Sequence, residues 1–217
     1  ESGMTGLVLD PGFDTNRTFY TCQIETDRGN APGDADPDDD FGGQVVSWTV
    51  DEGYTAVTRG DDLIDLAPWF PVDGGHLGCR LRFDAVGNLL IATGDRRCGT
   101  NPQDLAVRAG KVLRIDVEDP EAGVEGNPFF DDDDPETDPT IYTWGHRNPQ
   151  GLALRPDSGQ MFSVEHGGET DDEVNLLGAG ANYGWNPVGL STVSCAEAVP
   201  IFDPVDSVLT RDLVNAT

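Results

Sequence analysis

The sequence predicts an all-β chain built as a β-propeller, and three observations carry that expectation. Helical periodicity is almost absent, so no long amphipathic helix organises the chain. Glycine (27) and proline (15) make up almost a fifth of the 217 residues, a density of turn formers that suits many short strands. One pattern also recurs three times at a near-constant interval, which marks a repeated supersecondary unit.

The elements follow in order. Leu7-Val8-Leu9 passes through Asp10-Pro11 and Asp14-Thr15-Asn16 into Thr18-Phe19-Tyr20. An alternating strand, a tight polar turn and a second strand make a β-hairpin. Gln44 to Thr49 supplies a further strand. The second copy runs from Leu81-Arg82-Phe83-Asp84-Ala85 through Gly87-Asn88 to Leu89-Leu90-Ile91-Ala92, with strand candidates at Val112 to Val117 and Thr140 to Trp144. The third runs from Leu152-Ala153-Leu154-Arg155-Pro156 through Ser158-Gly159 to Met161-Phe162-Ser163-Val164. The copies start 81 − 7 = 74 and 152 − 81 = 71 residues apart, as radial repetition of blades requires. At that interval the chain holds about three blades. Residues 1–217 are therefore expected to form a single β-propeller domain. The aspartate-rich stretches 34–40 and 131–138 contain proline and lack the spacing of a calcium loop, so they read as solvated loops.

Charge excludes whole classes of partner. Forty acidic residues against 13 basic ones give a net charge of −27, which repels nucleic acid and anionic membrane surfaces. No apolar run approaches the roughly 20 residues of a membrane span. The opening Glu1-Ser2-Gly3 lacks a basic leader region, so an export signal is expected to be already removed or absent. With 37% hydrophobic residues the chain can bury a core, and the acidity belongs to its surface. Lys111 is the sole lysine and the other basic residues are arginine. A salt-loving or acid-tolerant source and a high-GC codon bias account for this equally well.

The cysteines at 22, 79, 98 and 195 show no C-x-x-C spacing, which argues against zinc. In an exported protein they form up to two disulfides out of three pairings. Cys79 and Cys98 flank one strand pair and are the preferred bridge, with four buried thiols as the alternative.

Three stretches are too specific to be compositional: Gly145-His146-Arg147-Asn148-Pro149-Gln150-Gly151-Leu152, then Glu165-His166-Gly167-Gly168-Glu169-Thr170-Asp171-Asp172-Glu173-Val174-Asn175-Leu176, then Gly180-Ala181-Asn182-Tyr183-Gly184-Trp185. Gly75-His76-Leu77-Gly78-Cys79-Arg80-Leu81, Thr93-Gly94-Asp95 and the opening Gly6 to Pro11 agree with them. In this order they resemble the glucose/sorbosone dehydrogenase family, the soluble pyrroloquinoline quinone (PQQ)-dependent aldose sugar dehydrogenases. The resemblance runs to about Trp185. It implies a six-bladed propeller holding PQQ and calcium at one end of its axis, of which this chain is a portion with the remaining blades beyond Thr217. It further implies an aldose substrate oxidised at the anomeric carbon, a soluble electron acceptor, and a secreted or periplasmic location.

The resemblance also distributes roles. Removing a hydroxyl proton as hydride leaves calls for a base that titrates near neutrality, which suits histidine. His76 matches the family's general base, although by spacing alone it reads as a structural histidine in a glycine-rich turn. Asp95, at 95 − 76 = 19 residues, matches the carboxylate that orients the imidazole. Arg147 matches the cation that faces the quinone, since a guanidinium can fork to or stack on a flat anion. Asn148 matches a donor to the same edge, and His166 stands where a polar residue faces the cofactor. Gly167 and Gly168 match positions whose carbonyls ligate the cofactor-associated calcium, while Glu173 and the Tyr183 carbonyl match a second, structural calcium. The alternative function is a propeller that binds carbohydrate or protein without catalysis. A calcium-dependent lactonase lacks a set of side-chain oxygen ligands around one axis.

Overall fold

The computed structural model describes residues 3–25, 42–67, 75–168 and 170–185. The aspartate stretch 34–40 and Cys195 lie outside these described residues. Three antiparallel sheets follow one another along the chain. The first contains β1 (Met4–Leu9), β2 (Thr18–Glu25), β3 (Gly42–Val50) and β4 (Val57–Ala67), hydrogen-bonded in that order. The second contains β5 (Gly78–Phe83), β6 (Leu89–Thr93), β7 (Lys111–Ile115) and β8 (Ile141–Trp144), also in order. The third contains β9 (Pro149–Leu154), β10 (Met161–Glu165) and β11 (Glu173–Leu177). Helix is confined to one α-turn, Phe13–Asn16, and one 3₁₀ turn, Asn101–Gln103, among the described residues.

All three hairpins expected from the sequence are formed, with Leu9 opposite Phe19, Phe83 opposite Leu89 and Leu154 opposite Met161. Their turns are closed by polar side chains. Asp84 Oδ1, for example, accepts the Val86 and Asn88 backbone N–H groups at 3.0 and 2.9 Å, so the aspartate replaces ladder bonds that the turn cannot make. The sheets begin 78 − 4 = 74 and 149 − 78 = 71 residues apart, so the sequence interval is the blade interval.

Stacking of the sheets explains the hydrophobic pattern. β6 is buried at every residue because it is sandwiched between neighbouring sheets, which is why Leu89-Leu90-Ile91-Ala92 does not alternate with polar residues. Leu89 and Ile91 pack toward the first sheet with Tyr20, Cys22, Val45, Ile64 and Leu66. Leu90 and Ala92 point the other way and pack with Met161, Leu177 and Tyr183 of the third. β5 lies against β1 on one side and β9 on the other, so the leading strand of each sheet is the innermost one. That is the geometry of propeller blades around an axis.

The expected Cys79–Cys98 bridge is not formed. Cys79 pairs with Cys22, at a Cα–Cα separation of 5.6 Å, and so joins the first two blades. The cause is local: Cys79 has a left-handed backbone (φ 63°), and its side chain enters the core that β5 shares with β2 instead of following its own hairpin. Cys98 is also disulfide-bonded.

Candidate active site

The site is assembled by the segments that lead into the innermost strands. His76 lies two residues ahead of β5, and Arg147 lies two residues ahead of β9. Their separation, 147 − 76 = 71, equals the blade interval, so they hold equivalent positions in successive blades and share one end of the axis. Gly94 brings the next loop in. A Cβ there would stand 1.9 Å from the His76 carbonyl oxygen, so only glycine allows the loop after β6 to lie against the His76 segment. This region is conformationally strained. His76, Cys79, Arg96 and Arg97 account for four of the seven non-glycine residues with positive φ among those described. Such residues cost about 1–3 kcal/mol each and cluster where a site is held in place by its surroundings.

Asp95 is the hub. Its side chain is 3% exposed, and Oδ1 lies 2.7 Å from His76 Nδ1. Oδ1 also accepts the Arg97 N–H at 2.8 Å, and Oδ2 accepts Trp185 Nε1–H at 2.7 Å. The Asp95 N–H donates to the Arg147 carbonyl at 2.7 Å, which ties the two loops together. With Nδ1–H committed to Asp95, His76 carries its lone pair on Nε2, and the ring is 17% exposed. The Arg147 guanidinium lies over the Trp185 ring at 5.4 Å from its centroid. His76, Asp95, Trp185 and Arg147 thus form one continuous chain of contacts.

The remaining candidate residues are placed as follows. Asn148 is 2% exposed, and its Oδ1 accepts the Gly78 N–H at 3.1 Å and Gln150 Nε2–H at 2.9 Å, so these bonds hold β5 to β9 instead of reaching outward. His166 is exposed, with Nδ1 3.6 Å from Asp172 Oδ2. Its backbone carbonyl, and not its ring, accepts from Arg147 at 3.3 Å. Gly167 sits where a Cβ would collide with the Thr170 carbonyl, and Gly168 faces the Trp185 ring. Glu173 Oε2 accepts Asn175 Nδ2–H at 3.3 Å, and the buried Tyr183 hydroxyl accepts the Gly178 N–H at 3.2 Å.

Behind Arg147 lies a second histidine–carboxylate pair that the sequence reading did not assign. His146 is fully buried, with Nδ1 2.8 Å from Glu165 Oε1 and Nε2 2.8 Å from Thr143 Oγ1. Glu165 also accepts the Arg147 N–H at 2.9 Å and Asn175 Nδ2–H at 2.7 Å, while Tyr183 stacks on the imidazole at 4.6 Å. Each of these polar groups is satisfied inside the core, and the cluster fixes the backbone of Arg147.

A cation and an imidazole at one mouth suit a flat, anionic redox cofactor, because the guanidinium can meet its charge while the imidazole meets the substrate proton. No group of three or more His, Cys, Asp or Glu side chains converges on a metal position among the described residues.

The stacked antiparallel sheets and the site at one end of their axis define a β-propeller. Residues 1–198 match the family described as glucose / sorbosone dehydrogenase, and the chain belongs to it. It is 31% identical over 186 residues to the aldose sugar dehydrogenase YliI of Escherichia coli, covering 85% of this chain and 46% of that protein. It is 28% identical over 207 residues to quinoprotein glucose dehydrogenase B of Acinetobacter calcoaceticus, covering 85% and 40% respectively. The PQQ-bound aldose sugar dehydrogenase of Streptomyces coelicolor superposes with a TM-score of 0.67 at 27% identity, covering 94% of this chain and 53% of that one. The chain therefore spans about half the length of these relatives. No helix among the described residues is long and apolar enough to cross a membrane.

Proposed function

We propose that this chain carries the base-and-cation part of the active site of a PQQ-dependent aldose dehydrogenase, which oxidises the anomeric carbon of a pyranose to a lactone. The observation that carries the reading is the convergence of His76, Asp95 and Arg147 at one end of the blades, Asp95 bonding to His76 through its side chain and to Arg147 through its backbone. The family membership and the activities for which the relatives are named support the substrate and the cofactor class.

His76 Nε2 takes the proton of the anomeric hydroxyl, and Asp95 holds the ring in the required tautomer and stabilises the imidazolium that forms. Arg147 binds and orients the anionic edge of the cofactor. When bound, the quinone supplies the acceptor for the hydride that leaves the anomeric carbon. Calcium is proposed on the Gly167 and Gly168 carbonyls, with a second ion at Glu173 and the Tyr183 carbonyl, and Asn148 and His166 belong to the cofactor wall. A soluble carrier takes the electrons onward. A secreted or periplasmic location is supported by the Cys22–Cys79 disulfide, since such bonds persist in oxidising compartments.

The test is dye reduction by the complete protein with added PQQ and calcium and a panel of aldoses. His76→Gln is expected to lower kcat about 10²–10⁴-fold, the usual contribution of a general base. No turnover of any aldose overturns the assignment in favour of a binding module, and dye reduction that survives His76→Gln overturns His76 as the base.

A further inference from the structure

Trp185 touches both halves of the candidate site and was given no role by its position in the sequence. Its indole N–H donates to Asp95 Oδ2 at 2.7 Å, on the oxygen that His76 does not use. Its ring lies beneath the Arg147 guanidinium at 5.4 Å. Its own backbone is clamped. Trp185 N–H donates to the Gly145 carbonyl at 2.8 Å, and its carbonyl accepts Gln103 Nε2–H at 3.0 Å. Gln103 is itself locked to Asn182 by a reciprocal pair of amide bonds at 3.1 and 2.7 Å. A side chain held this firmly can transmit position from one partner to the other.

We propose that Trp185 is a positioning residue: it fixes Asp95, and through it His76, while supporting Arg147, so that the proton acceptor and the anion-binding cation are held in one register. The inference rests on the function proposed above. The NMR readouts below separate its failure from the failure of that reading. Among the described residues, the charged groups about His76 are Asp95, Arg96 and Arg97 on the loop after β6 and Arg147 ahead of β9.

The direction of the effect follows from the bonding. The indole N–H disperses part of the Asp95 negative charge. Without it, the carboxylate attracts an imidazolium more strongly, and the titration midpoint of His76 moves up. Trp185→Phe keeps a ring under Arg147 and deletes the donor. The expected result is a His76 ring signal, assigned by its loss in His76→Gln, that titrates at higher pH in Trp185→Phe than in the unaltered protein by proton NMR. The acid limb of kcat/KM moves by the same amount. Trp185→Leu also removes the ring, and is expected to weaken PQQ binding about fivefold beyond Trp185→Phe, the scale of one cation–π contact.

A measurement on the unaltered protein guards against a variant that fails to fold. The Trp185 indole N–H resonance should move with pH at the same midpoint as the His76 ring, because Asp95 joins them. An indole signal that ignores the His76 titration, or a His76 midpoint unmoved in folded Trp185→Phe, overturns the proposal even if sugar is oxidised. If no aldose is turned over, the proposed activity fails while the NMR titration still decides the role of Trp185.

Discussion

Lys111 is fully buried, with Nζ donating to the Asn101 and Ala109 carbonyls at 2.6 and 2.8 Å. The sole lysine is thus absent from the surface, and every exposed cationic side chain among the described residues is an arginine or histidine. Burial pushes the Lys111 ammonium down to about 7 from 10.5, opposed in part by Asp104 and Asp138. In the unfolded chain the lysine keeps its ordinary value. Between about pH 7 and 10.5, then, the unfolded state holds a proton that the folded state has released, and stability rises with pH across that window. Lys111→Met removes this dependence and leaves two buried carbonyls short of a donor, at a cost of about 1–3 kcal/mol. Thermal unfolding from pH 7 to 10 should show the wild-type chain gaining stability relative to the variant as pH rises. A difference that does not change with pH would mean that the ammonium carries no burial penalty.

At the scale of elements, the hairpins were legible because their physics is local. Alternation, a turn residue such as Asp84 or Gly159, and a second alternating run suffice. β4 was not legible, since Gly60 and the polar Asp61-Asp62 interrupt its pattern and the pairing with β3 shifts register there. The His76–Asp95 contact was open to inference from the spacing of 19 residues. The same spacing, 165 − 146 = 19, recurs in the buried His146–Glu165 pair and passed unnoticed. His146 stands three residues ahead of β9, whereas His76 stands two ahead of β5, and that one-residue offset accompanies an inward-facing ring in one case and an accessible ring in the other. Trp185 was visible only as the end of a motif, because its partners are remote in sequence: Asp95 is 90 residues away. The disulfide was misread for the same reason. It crosses between blades, where hairpin proximity is no guide. Closing a 57-residue span, Cys22–Cys79 is worth about 4 kcal/mol in the chain-entropy account. A Cys22→Ala, Cys79→Ala double variant should unfold at lower denaturant concentration with a larger m-value, because the uncross-linked unfolded chain exposes more surface. No loss of stability would show that the stacked core alone holds the first two blades together.

For the whole molecule the dominant long-range term is its charge of −27. Among the described residues, arginine ion pairs are few: Arg59–Asp62, Arg108 with Glu121 and Asp138, and Arg114–Asp84. The excess carboxylates, including the exposed loop 131–134, repel one another more when the chain is compact than when it is expanded. Salt shortens the reach of that repulsion from about 30 Å at 0.01 M to about 3 Å at 1 M. Folding should therefore strengthen with ionic strength. The Arg108–Asp138 and Arg114–Asp84 pairs are half-buried and screened less than the exposed carboxylates, so loss of the repulsive term wins. For a chain of this size each kcal/mol gained raises Tm by about 2–4 °C. Melts at pH 7 from 0.01 to 1 M sodium chloride should rise steadily. An equal osmolality of sucrose, which screens nothing, should leave out the steep part of the increase below 0.2 M. A Tm that is flat or falls with salt would show that the surface carboxylates are far enough apart, or well enough solvated, for their repulsion not to govern stability.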